Sequence, residues 1–268
     1  MIANARMYAI DATSAAAWRS VLEWVGRRAN VDFDVVDYPA PLPLAALCAR
    51  PDLACAFMCG YPFATMLPRP TLLAAPVPSP APYGGRPVYW TDLVVAAEAP
   101  IADLHDAFGK RIAWTTEDSQ SGWQAPRLLL AAYAQRHGAP LFAEAVGPLV
   151  TPRNVALAVA EGRADLGPLD SYAHDLLRLH EPALAARLRV IARTPVTPIP
   201  PLVGASTLDA SVARRLREAL FAVGHAPELA AARDTLLLSR FAGFAPEAYD
   251  ALVTEARRAD AQGYPRIA

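Results

Sequence analysis

Cysteine is scarce: the chain has only Cys48, Cys55 and Cys59. An odd number, two of them four apart in one apolar run, does not make a disulfide framework. No C-x-x-C pair or second ligand cluster supports zinc. The expectation is inert, buried thiols. Excess charge is also missing. Twenty-five basic residues stand against 26 acidic, a net charge of −1. Such a balance draws no polyanion at long range, so nucleic acid is not expected as a partner. No apolar, charge-free window is long enough to span a bilayer, so no membrane span is expected. At the N-terminus, Asp11 interrupts the apolar stretch that begins at Met7, and the pattern of an export signal is lacking. As written, the sequence reads as cytoplasmic; an upstream start would make it periplasmic. Internal repeats and charge blocks are absent too. What remains is an Ala-rich chain of 268 residues, enough for two cores of roughly 100–150 residues each.

Catalytic signatures are equally thin. The five histidines, His105, His137, His174, His180 and His225, form no H-E-x-x-H pair. Position 117 is Glu, so the segment around Ser119 is not a G-x-S-x-G elbow. No phosphate-binding G-x-x-x-x-G-K-[ST] loop exists. No nucleophile–base pair follows from spacing, so no catalytic residue, cofactor or metal is assigned.

The periodicity of what is present alternates strands with helices. Arg6–Asp11 reads as a strand, and Ser14 as the cap of a helix to about Arg28 with Trp18, Val21, Leu22 and Val25 on one face. Residues 32–37 read as a second strand. Leu53–Cys59 is a continuous apolar run that suits a parallel strand covered on both faces. Thr71–Val77 follows as another strand, then a proline-rich loop to Pro87 and one long strand, Val88–Ala97. Ile112–Thr115 precedes a polar loop and the helix Trp123–Arg136. Further helices are predicted from Thr151 to about Glu161 and over Ser171–His180, with strands at Ala164–Leu169 and Arg189–Thr194. Thr194–Pro201 carries four prolines and reads as a stiff extended connector. The remainder reads as helices over 209–224, 227–239 and 246–261. Together these predict an α/β fold of two lobes, each with a central, mostly parallel sheet flanked by helices. Two segments cross between the lobes. Lobe one comprises residues 1–90 and 197–268, and lobe two is the insertion 91–196.

The sharpest chemistry lies in Asp118-Ser119-Gln120-Ser121-Gly122-Trp123, after a predicted strand and at the opening of a predicted helix. Unpaired first-turn amides, the positive end of the helix dipole and two hydroxyls make an anion cradle. Gly122 lets a ligand approach the backbone. The same residues also suit a plain N-cap with no ligand.

These residues carry a resemblance. Tyr89-Trp90-Thr91-Asp92-Leu93-Val94-Val95, Gly109-Lys110-Arg111-Ile112-Ala113 and Asp118–Gly122 resemble the phosphate/phosphite/phosphonate-binding family of ABC-transporter substrate-binding proteins. Val155–Val159, Gly162 and Asp165 match the family's helix-Gly-x-x-Asp segment. The resemblance is strongest over residues 50–205. It implies a type II periplasmic-binding-protein fold, an anion site lined by Ser119, Gln120 and Ser121, and Tyr89 donating from the hinge side. Where many members carry a histidine, this chain has Thr151-Pro152-Arg153-Asn154.

Other candidates rest on position. Tyr61 follows the apolar strand and can meet a ligand from lobe one, or pack under its loop. Arg153 can clamp an anion through two donors or lie on the surface. Asp170 can hold an ammonium group, orient Arg153 or cap the next helix. Trp114 and Trp123 can wall the pocket or fill the core. The function implied is hinged capture of a small phosphonate- or phosphate-like anion, for transport with an ABC permease or for sensing. The alternative is a cytoplasmic cofactor-biosynthesis enzyme on the same fold, of the thiamin-pyrimidine or menaquinone-pathway type.

Overall fold

The computed structural model describes residues 1–268 in full. The chain forms two units, Met1–Val88 with Pro198–Tyr249 and Tyr89–Thr197 with Asp250–Ala268. It therefore passes between units three times, not twice.

In the first unit, Ile2–Asn4 is the opening strand. The expected strand at 6–11 is a single 3-10 turn, Arg6–Tyr8, because Asp11 is committed to capping. Its carboxylate accepts from the Ser14 N–H at 2.7 Å while the Asp11 N–H donates to Ser14 Oγ at 3.0 Å. This reciprocal capping box starts the helix Ala12–Ala29. Trp18, Val21, Leu22 and Val25 are buried along it. Trp18 meets Phe57 edge-on at 4.9 Å.

The apolar run becomes the strand Leu53–Phe57, buried throughout. It is central in a six-stranded sheet with the order 238–242, 71–78, 202–204, 53–57, 2–4, 34–35. Its pairing with Ile2–Asn4 is parallel and with Leu202–Gly204 antiparallel. The sheet is mixed rather than mostly parallel, since the strands at 202–204 and 238–242 both pair antiparallel with Thr71–Pro78. The helix expected over 227–239 stops at Thr235. Leu237 takes φ +48°, and Leu238–Ala242 leaves as a strand.

The second unit is built on the antiparallel strands Leu188–Arg193, Thr91–Ala96 and Gly167–Asp170, in that order. A parallel pair, Arg111–Ala113 with Glu144–Val146, joins them through a bridge from Ile112 to Leu166. The long strand expected over 88–97 breaks at Trp90. There the Trp90 N–H donates to Ser171 Oγ at 3.2 Å, and its carbonyl accepts from the Ser171 N–H at 3.0 Å. The C-terminal helix Asp250–Ala261 belongs to this unit, not to the first as the sequence suggests. Ala259, Tyr264 and Ile267 fill a core shared with Leu93, Trp123, Leu130 and Phe142, and burial of that apolar surface fixes the tail there.

Cys48 and Cys55 are buried free thiols, and Cys59 is half-buried. Burial pushes the first two up to about 12, with Arg6 opposing the shift at Cys48. Both are protonated and unreactive at neutral pH. No helix is long and apolar enough to cross a membrane.

Candidate functional site

The serine loop follows the strand Arg111–Ala113 and opens the helix Ala125–His137 through one wide π-helical turn, Gln120–Gln124. Such turns widen the backbone locally and recur at functional sites. Ser119 caps the turn: its Oγ accepts from the Gly122 N–H at 2.9 Å. A hydroxyl also carries one proton to donate, so capping leaves Ser119 a donor. Gln120 and Ser121 occupy the first turn, where amides have no intrahelical acceptor. Both side chains are buried.

Two features fix this turn in place. Thr91, on the strand Thr91–Ala96, donates its hydroxyl to the Ser121 carbonyl at 2.9 Å. Gly122 sits directly on Thr115. A Cβ added at Gly122 would lie 1.8 Å from Thr115 Oγ1, so only glycine fits. Two polar atoms in this region are buried without a hydrogen-bond partner, Gln120 Oε1 and Thr115 Oγ1. A buried polar atom left unpaired costs about 1–3 kcal/mol, so native folds seldom leave one without a use.

The charge carried by the loop's own residues is one-sided. Residues 115–124 include no lysine or arginine, and the acids Glu117 and Asp118 are exposed. Attraction for an anion would come from amides and hydroxyls, not from a cation in the loop.

Ser119, Gln120, Ser121 and Gly122 come together as one turn. Asp170 pairs across the sheet with Thr91, the residue that ties down Ser121. Its carboxylate caps the helix Ser171–His180, accepting from the N–H groups of Tyr172 and Ala173 at 2.9 and 3.0 Å. Arg153 is held internally: its Nε and Nη2 donate to the two Glu181 carboxylate oxygens at 2.6 and 2.8 Å. Tyr89 is buried at the start of the second unit. Tyr61 lies half-buried in the first unit, on the short helix Gly60–Thr65. Trp123 is in the core and meets Trp114 edge-on at 4.8 Å.

Sequence patterns alone miss three contributors. Thr115 forms the seat of Gly122. Val150 holds φ +69°, rare for a β-branched residue, and its N–H donates to the Thr115 carbonyl at 3.2 Å. Asp92, buried on the strand beside Thr91, accepts from His174 Nδ1 at 2.8 Å, Trp90 Nε1 at 2.9 Å and Arg193 Nε at 3.0 Å. Burial alone would raise the Asp92 pKa, but hydrogen bonds from His174, Trp90 and Arg193 outweigh it and hold the carboxyl below its ordinary value. The only sequence signal for this network was a charged residue inside an apolar strand.

Solved structures share the two-unit α/β architecture of this chain, the type II periplasmic-binding fold. Over residues 9–250 the chain belongs to the family described as ABC transporter, phosphonate, periplasmic substrate-binding protein. The Phosphonates-binding periplasmic protein of Escherichia coli K12 is 28% identical over 148 residues, covering 54% of this chain. The matched stretch spans 43% of that relative, less than half its length. A binding-protein component of an ABC phosphonate transporter from Pseudomonas aeruginosa superposes with a TM-score of 0.83 at 19% identity, covering 98% of this chain and 88% of that one. A Prochlorococcus marinus protein in complex with methylphosphonate gives a TM-score of 0.76 at 13% identity, covering 97% and 98%. The family assignment favours the binding-protein reading over the cofactor-biosynthesis enzyme.

Proposed function

We propose that this chain binds a small oxyanion of the phosphonate or phosphate type on the Ser119–Gly122 turn, and that it delivers it to an ABC permease from the periplasm. The observation that carries the reading is the turn itself. It is capped by a hydroxyl that keeps a proton, seated on Thr115 so that only glycine fits, and contains a buried Gln120 side chain with an unpaired polar end. A tetrahedral oxyanion suits this donor set, because its oxygens can accept from two first-turn amides and two serine hydroxyls at once. The Gln120 amide can donate through Nε2, or accept through Oε1 from a protonated ligand oxygen. Tyr89 is a further donor on this reading. Family membership and the methylphosphonate ligand of a structural neighbour support the ligand class.

Arg153 and Asp170 are weaker candidates. Glu181 engages two donors of the first, and a helix N-terminus engages the second.

Thermal denaturation with methylphosphonate, inorganic phosphate and methanesulfonate tests the reading. A ligand at 100 times its Kd adds about 2.7 kcal/mol of stability, which a melting shift registers. Ser119→Ala with Ser121→Ala should remove that shift. A double variant that binds as tightly as wild type would place the ligand elsewhere.

A further inference from the structure

We infer that Arg127 and Gln124 are positioning residues for the oxyanion turn, and that they make the C-terminal segment 250–268 a working part of that site. This rests on the function proposed above. Arg127 is only 4% exposed, and a buried guanidinium must find acceptors. Its Nη1 donates to the Asp260 carboxylate and to the carbonyls of Tyr264 and Pro265 at 3.4 and 3.3 Å. Its Nη2 donates to the Ala256 carbonyl at 3.1 Å and to Gln124 Oε1 at 2.6 Å. Apart from Gln124, every acceptor comes from residues 256–265.

Gln124 carries that hold into the turn. Its Nε2 donates to the Glu117 carbonyl at 2.8 Å, and its backbone N–H donates to the Ser119 carbonyl at 3.0 Å. One residue thus grips the chain on the approach to Ser119 and at Ser119 itself. The amide can do this in one orientation only. Arg127 has donors and no acceptor, so it fixes Oε1 toward itself and leaves Nε2 for Glu117. Without Arg127 the flipped amide would set its oxygen against the Glu117 carbonyl. The relay Asp260–Arg127–Gln124–Glu117 therefore sets the spacing of the turn that presents Ser119 and Ser121.

The C-terminal segment is anchored independently of Asp260. Ala259, Tyr264 and Ile267 lie in the core, and the Leu141 N–H donates to the Ala268 carbonyl at 2.8 Å. Asp260, whose side chain is 54% exposed, can be changed without detaching it.

The test follows from a difference of sign. Asp260→Ala removes a negative charge, and Coulomb attraction alone would then tighten binding of an anion. The relay predicts the reverse. We expect methylphosphonate affinity to fall by about 3- to 10-fold in Asp260→Ala, and by more in Gln124→Met. Amide exchange over residues 116–124 should accelerate in both, while Asp260→Glu stays near wild type. Unchanged exchange together with equal or tighter binding in Asp260→Ala would overturn the inference. So would accelerated exchange that leaves affinity untouched, because the turn's spacing would then not matter to binding. Should Gln124→Met fail to fold, the Asp260 pair decides alone. Wild-type protein that binds neither methylphosphonate nor inorganic phosphate would instead defeat the oxyanion reading, and exchange would still report whether the relay holds the turn.

Discussion

Replacing Gly122 with alanine tests the geometry of the turn most directly. The new Cβ would lie 1.8 Å from Thr115 Oγ1, 2.8 Å from its Cβ and 2.9 Å from its Cγ2. Rotating Thr115 moves Oγ1 and Cγ2 but not Cβ, so backbone must shift. Overpacking of this kind costs about 1–3 kcal/mol. Gly122 does not have a positive φ, so alanine also restricts the unfolded chain and returns about 0.4–1 kcal/mol. The net loss is then up to roughly 2.5 kcal/mol. A double-mutant cycle isolates the clash, because Thr115→Gly removes all three opposing atoms. Independent sites add within about 0.5 kcal/mol; here the pair should recover about 1 kcal/mol or more beyond the sum. Urea unfolding followed by tryptophan fluorescence reads the stability, with Trp114 and Trp123 reporting locally. Methylphosphonate affinity should fall in Gly122→Ala, because the shift pulls the 122 amide from Ser119 Oγ, and should partly return in the double variant. Additive stabilities with wild-type affinity would refute the seating of the turn on Thr115.

Two further changes bear on the frame around the site. Asp92→Asn weakens the buried hydrogen bonds from His174, Trp90 and Arg193 and should cost about 1–3 kcal/mol. Because the folded-state pKa of Asp92 is depressed, its contribution is present above the unfolded carboxylate range and is lost as pH falls through the folded value. Wild-type stability should thus drop more steeply than that of Asp92→Asn below about pH 4; parallel urea midpoints from pH 7 to pH 3 would contradict this. Gly147→Ala would bring a Cβ to 2.6 Å from the Trp114 ring, and should lower stability by about 1–3 kcal/mol. The near-ultraviolet circular dichroism of the Trp114–Trp123 pair should change with it, and an unaltered spectrum would show that the ring is not displaced and that the Cβ is accommodated elsewhere.

The parts of the fold legible in the sequence are those decided by local physics. Apolar spacing gives the helix Ala12–Ala29, and an unbroken apolar run gives the strand Leu53–Phe57. Polar residues before a helix give the Ser119 turn. Misreadings occur where a distant partner overrides local preference. Leu236-Leu237-Leu238 looks helical, yet Leu237 takes a left-handed conformation with no glycine to announce it. The strand that begins there pairs with Thr71–Pro78, more than 150 residues earlier. The C-terminal helix has an ordinary amphipathic pattern that does not say which core it joins. Its place in the second unit depends on apolar surface offered by Leu130, Leu141 and Phe142.

The two arginines show why the site was only half legible. Arg153 stands out in the sequence because a cation at a helix start is electrostatically awkward, and that local rule implies an anion nearby. The structure supplies one from the chain itself, Glu181, 28 residues on. Arg127 lies in the first turns of another helix and broke no local rule, yet it is the buried one, with its carboxylate 133 residues away. Sequence states how many charges must be met but not where, because pairing is decided by tertiary contact. In a turn without a cation, that distinction bears on function. Hydrogen bonds from amides and hydroxyls weaken steeply with misalignment, whereas attraction to a nearby cation would tolerate a small displacement. The proposed cradle, built from neutral donors, would therefore depend on the residues that hold its spacing, and those are the residues local patterns leave unmarked.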